Sequence, residues 1–336
     1  MMIKQKISGV ILIDKPQGMT SQQVVSKVKY LFQSPLHDSK KAGHTGTLDP
    51  MATGLLPICL GEATKFSHYQ LDADKSYQAI ILLGSQTDTG DADGKIITQA
   101  AVPMVDDKLL SDIAQQFMGA QQQIPPMYSA LKKDGKKLYE YARAGIEVDR
   151  PPRDIVIKTI ELHSIDANHI ELTATCTKGT YIRVLAEDIA KALGTLGHLT
   201  ALRRSRVGKF SIDSAITLSQ LEALALDKRQ AQLLAVEACI DIAAELILTA
   251  EQCERMRLGQ RLNVYNQITK SLQSYLNTVL DKNDVENDYP LSEEGQKLRH
   301  EQPVDIRLIN EQNIFIGLGA ISLNGRLQPK KIIAIT

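Results

Sequence analysis

Four β-rich apolar runs predict strands, at 7–13, 75–84, 155–162 and 170–176. The first run stops at Asp14-Lys15-Pro16, because proline has no amide hydrogen to donate within a central strand. The last two runs are joined by the polar turn 164–169, and this arrangement predicts a pair of neighbouring strands.

Apolar residues at helical spacing predict four helices. The first begins after Thr20, the second covers 107–118, the third runs from Gly179-Thr180 to Gly194, and the fourth covers 217–240. Thr20 and Gln23 have the spacing of a capping box, which favours a helix start at that point. Gly194 is a typical helix stop. The leucine-rich segment 217–240 should close the first domain.

The character of the chain changes near Leu246, and a smaller β-rich domain is predicted beyond it. The runs 314–322 and 330–335 flank Asn324-Gly325, a typical hairpin turn. Residues 266–302 are polar and have no clear period, so we expect an insertion there and leave open whether it is ordered. The predicted domains are 1–244 and 245–336.

Composition favours a globular protein. Hydrophobic residues make up 43% of the 336, and no run approaches the roughly 18 to 20 apolar residues of a membrane-spanning helix. The first eight residues lack the apolar core of a signal peptide, so we expect a cytoplasmic protein. The four cysteines lie far apart, and the seven histidines include no His-x-x-x-His spacing. We therefore expect no disulfide and no metal.

Charge is balanced over the whole chain but uneven along it. The formal net charge is zero, which counts against strong nucleic-acid binding because neutralising phosphates supplies most non-specific affinity. Residues 127–209, however, contain fifteen Lys and Arg against ten Asp and Glu. The cluster Lys132, Lys133, Lys136 and Lys137 belongs to this segment. Either the solvated start of a basic helix or an RNA contact explains it.

Residues 41–56 surround a single carboxylate, Asp49, with three glycines and Pro50. The apolar run 55–60 follows, so the backbone must turn tightly and present Asp49 outward. An Asp before Pro is usually a turn or helix-capping residue, and spacing alone favours that interpretation over a catalytic one.

Three further residues have two interpretations each. Arg183 falls in the first turn of a predicted helix, where the helix dipole disfavours a cation, so an acidic partner is expected: either an exposed salt bridge or Asp49. Lys15 either meets phosphate or simply helps to make a turn. Tyr77 is either a half-buried strand aromatic or a stacking surface for a base.

Residues 88–94 alternate acids and end in glycine, as calcium-binding loops do. An EF-hand loop also needs a glutamate at its twelfth position, and here Gln99 occupies that position. We therefore predict a turn-rich connection and no calcium site.

Four segments resemble, in the same order, the motifs of the TruB-type tRNA pseudouridine synthases: 13–21, 43–56, 124–132 and 178–183. The second reads Gly-His-Thr-Gly-Thr-Leu-Asp-Pro-Met-Ala-Thr-Gly-Leu-Leu and has few free positions. The resemblance covers most of 9–209 and implies an α+β fold. This is the pseudouridine synthase fold, a mixed, largely antiparallel sheet with flanking helices, followed by a small C-terminal PUA-like β-domain.

The same resemblance implies the reaction, which is conversion of uridine 55 in the T-loop of tRNA to pseudouridine. Asp49 would be the catalytic carboxylate, attacking the ribose or the base or removing a ribose proton. Arg183 would keep Asp49 charged and orient it. Tyr77 would stack on the flipped-out base and assist proton removal from C5.

The resemblance also implies four substrate-binding residues. His44 would occupy the place that the flipped uridine leaves, and Tyr181 and Leu202 would complete the pocket. Lys15 would support the active-site loop or the RNA backbone. The partner implied is the T-arm of tRNA, bound by a monomer with no obligate protein partner.

No cofactor is expected, because the base is detached and rejoined without loss of electrons or groups. The sequence accordingly has no Walker loop and no Gly-x-Gly-x-x-Gly fingerprint. Two other classes are considered: a tRNA-folding chaperone that uses the same basic groove, alone or alongside catalysis, and a carboxylate glycosidase. The glycosidase would need two paired acids, whereas the central motif offers one.

Overall fold

The computed structural model describes residues 4–287 and 298–334. The chain divides into two compact units, Met1–Leu234 and Ala235–Thr336, and each has its own hydrophobic core. The domain boundary predicted from the sequence, 244/245, falls within the second unit.

The first unit contains sixteen strands and seven α-helices among its described residues. The strands are β1 (Gln5–Lys6), β2 (Gly9–Lys15), β3 (His37–Asp38), β4 (Ala42–His44), β5 (Thr53–Leu60), β6 (Lys75–Leu83), β7 (Ser85–Thr87), β8 (Ile96–Gln99), β9 (Gly119–Gln123), β10 (Lys132–Lys133), β11 (Lys136–Lys137), β12 (Arg153–Ser164), β13 (His169–Cys176), β14 (Gly197–Val207), β15 (Phe210–Ser211) and β16 (Ile216–Thr217). The helices are α1 (Ser21–Phe32), α2 (Ser67–Leu71), α3 (Asp107–Phe117), α4 (Leu138–Arg143), α5 (Ile182–Ala192), α6 (Leu218–Ala223) and α7 (Leu226–Gln230).

One mixed sheet organises this unit. Its strand order is β16-β2-β5-β14-β6-β13-β12-β9, with β4 paired to β5 and β15 paired to β14. Neighbours are antiparallel except for two short parallel contacts, β16 with β2 and β5 with β14. The largely antiparallel sheet implied by the sequence resemblance is therefore confirmed.

The helices that flank this sheet are specified by local features of the sequence. At the start of α1, the Gln23 amide donates to Thr20 Oγ1 (3.2 Å) and the Thr20 amide donates to Gln23 Oε1 (2.8 Å), so the predicted capping box is confirmed. The apolar faces of the helices are buried against the sheet, each large side chain contributing about 1.5–3 kcal/mol. In α5 the buried apolar residues include Ile182, Leu185, Ala186, Ile189 and Ala190.

The single helical segment predicted over 217–240 is wrong, because tertiary contacts divide it. The helices α6 and α7 are short, and the chain then turns so that Leu234 and Val10 exchange backbone hydrogen bonds (2.8 and 3.0 Å). Arg229 at the end of α7 donates to the Leu31 carbonyl (2.7 Å). These contacts outweigh the helical propensity of the leucine-rich sequence.

The lysine cluster at 132–137 lies on a hairpin. Strands β10 and β11 pair antiparallel, and both turn residues, Asp134 and Gly135, have positive φ (50° and 82°), as a tight two-residue hairpin requires. The helix α4 begins only at Leu138, so the interpretation of this cluster as a helix start is wrong. A contact with RNA stays a prediction.

The second unit is a small β-domain. Its strands are β17 (Glu245–Leu248), β18 (Leu262–Asn263), β19 (Val304–Asn310), β20 (Phe315–Ile321) and β21 (Arg326–Ile332), and its helices include α8 (Ala250–Arg257) and α9 (Lys270–Asn287). The five strands form one sheet in the order β17-β19-β20-β21-β18. The predicted Asn324-Gly325 hairpin is confirmed, since β20 and β21 pair antiparallel and Gly325 has φ 82°.

Helix α9 occupies much of the polar segment 266–302. Leu272, Leu276 and Leu280 recur every four residues and are buried in the core of the second unit. A stripe this narrow in a polar segment gives no clear period in the sequence. Residues 288–297 of the same segment lie outside the described residues. Within the ranges that are described, no helix combines the length and the apolar character needed to cross a bilayer.

Candidate active site

Asp49 lies in the loop between β4 and β5. The Ser21 hydroxyl, at the start of α1, donates to the Leu48 carbonyl (3.0 Å) and accepts from the Leu48 amide (2.8 Å). The Ala52 amide donates to the Asp49 carbonyl (3.1 Å), and the side chains of Leu48, Met51 and Ala52 are buried. The Asp49 side chain is 35% exposed. The loop is thus anchored by its neighbours and leaves the carboxylate accessible.

Arg183 lies in the first turn of α5, as predicted, and pairs with Asp49. Its Nε is 3.0 Å from Asp49 Oδ2. Its Nη1 donates to the Thr89 carbonyl (2.6 Å), and its Nη2 donates to the Tyr128 carbonyl (2.7 Å). Arg183 is only 4% exposed, so an exposed salt bridge is excluded. Because the two carbonyls fix the planar guanidinium, its third contact holds the Asp49 carboxylate in one orientation.

Asp91 is a second carboxylate beside Arg183, and sequence reasoning missed it. Its Oδ2 lies 3.6 Å from Arg183 Nε, and its side chain is 7% exposed. Its Oδ1 accepts from the Thr89 hydroxyl (2.5 Å) and from the Asp93 amide (3.2 Å). In the sequence it is one of several acids in a turn-rich loop. The available signal was the need of Arg183 for acidic partners.

The protonation of Asp49 depends on these neighbours. Burial raises the pKa of Asp49 and is the largest influence on it. The charge of Arg183 and its hydrogen bond lower that pKa, the charge of Asp91 raises it, and the charge of Lys15 lowers it. The net direction is upward, so the ionised form of Asp49 relies on its two cationic neighbours.

Tyr77 and Leu202 lie on adjacent strands of the central sheet, β6 and β14. Leu202 pairs in register with Ala79, and Ala79 is two residues from Tyr77, so all three side chains lie on one face. Burial raises the pKa of the Tyr77 phenol, Arg204 lowers it, and the charge of Asp49 raises it. The phenol is therefore neutral near pH 7 and senses the charge of Asp49.

Tyr181 is the residue immediately before α5. Its amide donates to Gln123 Oε1 (2.7 Å), and its carbonyl accepts from Gln123 Nε2 (3.1 Å). Burial raises the pKa of the Tyr181 phenol, and the charge of Asp49 also raises it. Tyr181 therefore belongs to the same electrostatic environment as Tyr77 and Asp49.

Lys15 lies beneath the loop and is fully buried. Its Nζ donates to the carbonyls of Pro16 (2.9 Å), Met19 (2.6 Å) and Pro50 (3.4 Å). Burial lowers the pKa of Lys15 to about 8, while the charge of Asp49 raises it. Of the two roles implied for Lys15, these contacts favour support of the Asp49 loop.

His44 is the last residue of β4 and is half-buried. Its Nδ1 accepts from the Gly46 amide (3.3 Å). Burial lowers the pKa of His44, and the charge of Arg204 lowers it further. The imidazole is therefore neutral near pH 7.

Comparison with solved structures defines the class of fold. One similar chain comes from an H/ACA ribonucleoprotein bound to a substrate RNA containing 2′-deoxyuridine, with TM-score 0.63, 20% identity, and coverage of 97% of this chain and 85% of that one. Another comes from a Cbf5-Nop10-Gar1 complex, with TM-score 0.59, 21% identity, and coverage of 98% and 84%. The fold is that of a pseudouridine synthase with a PUA-like C-terminal domain.

Sequence comparison identifies the family. Residues 35–182 match the N-terminal domain of the TruB family of pseudouridylate synthases, 183–248 match the C-terminal domain of tRNA pseudouridylate synthase B, and 293–333 match a further TruB C-terminal domain. The chain is 71% identical to tRNA pseudouridine synthase B of Psychrobacter cryohalolentis, over 99% of this chain and 95% of that protein. It is 43% identical to the protein of that name from Methylobacillus flagellatus, over 98% and 97%. The chain belongs to the TruB family of tRNA pseudouridine synthases, which are isomerases.

Proposed function

We propose that this protein converts uridine 55 in the T-loop of tRNA to pseudouridine, with Asp49 as the catalytic carboxylate. The observation that carries the proposal is the pair formed by the accessible Asp49 and the buried Arg183, 3.0 Å apart. Such a pair keeps a partly desolvated carboxylate ionised and aimed in one direction. Family membership supports the reaction class, and this pair supports the identity of the reacting group.

The reaction is balanced without any other reactant. The N1–C1′ bond of the uridine breaks, the base turns, and a C5–C1′ bond forms. C5 then loses a proton and N1 gains one, so the product is an isomer of the substrate. Asp49 would act by attacking the ribose or the base, or by removing a ribose proton, and each of these routes requires the ionised carboxylate.

The other site residues have supporting roles in this proposal. The uridine must leave its stack to reach Asp49, and Tyr77 receives the flipped-out base by stacking and assists removal of the C5 proton. Tyr181 and Leu202 complete the pocket. His44, neutral and half-buried, takes the place of the departed base in the T-loop.

Lys15 has a structural part in the proposal. Its ammonium group donates to three backbone carbonyls, among them that of Pro50, and so holds the loop in the conformation that presents Asp49.

The protein acts on the T-arm as a monomer, and light scattering of the protein with one equivalent of tRNA would measure this stoichiometry.

The test uses an unmodified tRNA transcript carrying tritium at C5 of its uridines. Tritium is released to water only when C5 loses its hydrogen, so release measures the reaction directly. We expect release from the wild type, none from a transcript with cytidine at position 55, and none from Asp49→Asn. Asp188→Asn is the control, because Asp188 is an exposed carboxylate that pairs with Lys191 at 3.4 Å. Release by Asp49→Asn at the wild-type rate would refute the assigned role.

A second function, tRNA folding, is favoured by the exposed lysine hairpin formed by β10 and β11, because that surface can contact phosphate without Asp49. In this proposal Asp49→Asn still binds and refolds tRNA while forming no pseudouridine. A filter-binding assay together with native-gel refolding of misfolded tRNA would separate the two activities. Loss of both tRNA binding and tRNA refolding in a folded Asp49→Asn would contradict an independent chaperone role.

A further inference from the structure

Arg204 is the largest of the fully buried side chains that the structure describes, with 1% exposure. Within the same ranges no carboxylate forms an ion pair with it, although a buried cation is normally paired. Burial lowers the pKa of Arg204, and the Tyr77 hydroxyl opposes this effect. A cation kept in such a position needs other partners.

Its partners are backbone carbonyls at both ends of the Asp49 loop. Nε donates to the Leu55 carbonyl (2.9 Å), Nη2 donates to the Gly46 carbonyl (3.1 Å), and Nη1 donates to the Thr47 carbonyl (3.4 Å). Two of these carbonyls precede Asp49 and one follows it. One guanidinium therefore ties together the entry and the exit of the loop.

The same guanidinium reaches Tyr77 across the sheet. Arg204 in β14 pairs in register with Tyr77 in β6, and residues directly opposite in an antiparallel pair share a face. Burial raises the pKa of the Tyr77 phenol, and the charge of Arg204 accordingly lowers it, as a cation beside a phenol does.

Gly54 allows the loop to approach Arg204 this closely. Gly54 is the parallel register partner of Arg204 and has φ +105°, a conformation that other residues rarely adopt. A Cβ at this position would lie 2.7 Å from the Arg204 backbone nitrogen. The contacts that the Arg204 backbone and side chain make with the loop therefore both require the loop to lie directly against β14.

We propose that Arg204 is a positioning residue of the active site, which holds the Asp49 loop in place beside Tyr77 without touching substrate. The proposal rests on the roles proposed above for Asp49 and Tyr77. It differs from a purely structural role in one respect: the charge of Arg204 acts on Tyr77.

The charged and titratable groups around this centre determine the sign of that effect. Burial raises the pKa of Tyr77, Arg204 lowers it, and Cys176 and Asp49 raise it. Burial lowers the pKa values of Lys15, His44 and Lys75, and the charge of Arg204 lowers each of them further. Loss of the Arg204 charge should therefore raise the pKa of Tyr77.

The kinetic test is Arg204→Lys, which keeps a charge but cannot reach the carbonyls of Gly46, Thr47 and Leu55 together. We expect kcat to fall about 10- to 100-fold, as for a small misplacement of catalytic groups, with the KM for tRNA within about threefold of the wild type. The matched control is Arg203→Lys, since Arg203 is the preceding residue in β14, is 40% exposed and pairs with Asp14. Wild-type kcat in Arg204→Lys would overturn the proposal.

The second test reads Tyr77 itself. The chain has ten tyrosines and no tryptophan, so phenolate absorbance is free of indole, and subtracting the titration of Tyr77→Phe isolates Tyr77. We expect the Tyr77 phenolate to form at higher pH in Arg204→Gln than in the wild type. An unchanged Tyr77 titration in folded Arg204→Gln would overturn the proposal, and if this variant does not fold, Arg204→Lys still decides by kcat. The titration needs no turnover, so it tests the role of Arg204 even if the proposed chemistry at Asp49 is wrong. Failure of one proposal can therefore be distinguished from failure of the other.

Discussion

Replacing Asp91 with asparagine tests whether Arg183 needs its second carboxylate. Asp91 Oδ2 lies 3.6 Å from Arg183 Nε, and the two side chains are 7% and 5% exposed. Asparagine keeps the size of the side chain and the Oδ1 that accepts from Thr89 and Asp93, but it removes the charge. Among the described residues, Asp49 would then be the one carboxylate left within 4 Å of Arg183.

The distance sets the magnitude. Two unit charges at the separation of this pair attract by about 4–5 kcal/mol at an effective dielectric constant of about 20. Arg183 keeps its bonds to Asp49 and to the carbonyls of Thr89 and Tyr128, and desolvation offsets part of the attraction. We therefore expect a loss of about 2 kcal/mol of transition-state stabilisation, which is about 30-fold in kcat.

The direction in which the pH dependence of activity shifts separates a charge effect from a general loss of packing, which would not produce such a shift. Burial raises the pKa of Asp49, Arg183 lowers it, and the charge of Asp91 raises it. In the proposed mechanism Asp49 acts in its ionised form, so activity is expected to fall as the pH drops through this pKa. Removing the Asp91 charge should lower the pKa and move the acid limb of the profile to lower pH.

The assay is tritium release from tRNA labelled at C5 of uridine, measured across pH for the wild type and Asp91→Asn. Asp188→Asn on the same helix as Arg183 is the control, because this exposed carboxylate pairs only with a surface lysine in the described structure. A folded Asp91→Asn with wild-type kcat, or with its acid limb at higher pH, would show that the reasoning is wrong.

Three further predictions concern the loop and the second unit. Lys15→Met removes a charge that lowers the pKa of Asp49, so the acid limb should move to higher pH, opposite in sign to the first prediction; a shift to lower pH in the rate profile would contradict this. Gly54→Ala places a Cβ against the backbone of β14 at positive φ and should lower the free energy of unfolding by about 2–3 kcal/mol in urea titrations, whereas Gly43→Ala, with nothing within 4 Å, should have little effect. Leu276→Ala in α9 should destabilise the second unit by about 2–5 kcal/mol, and an unchanged urea midpoint would mean that α9 does not pack on that core.

Several features of the site could be predicted from the sequence because their signals are local. The Thr20 capping box, the Gly-rich loop around Asp49 and the position of Arg183 in the first turn of a helix all depend on residues within a few positions of one another. The need of a cation at a helix N-terminus for an acidic partner even indicated Asp49 as a candidate. The second partner, Asp91, could not be separated from its acidic neighbours, because only its burial beside α5 distinguishes it.

The sequence by itself determined four strands of the central sheet, β2, β6, β12 and β13, together with the Asn324-Gly325 hairpin and the motif residues that resemble the TruB family. Tertiary structure alone decided which side chains meet. The division of 217–240, the burial of Arg204 against Tyr77 and the closeness of Gly54 to β14 all arise from strand register and from contacts between distant segments. Propensity and periodicity describe how a residue interacts with its neighbours in the chain, whereas these contacts join residues more than a hundred positions apart.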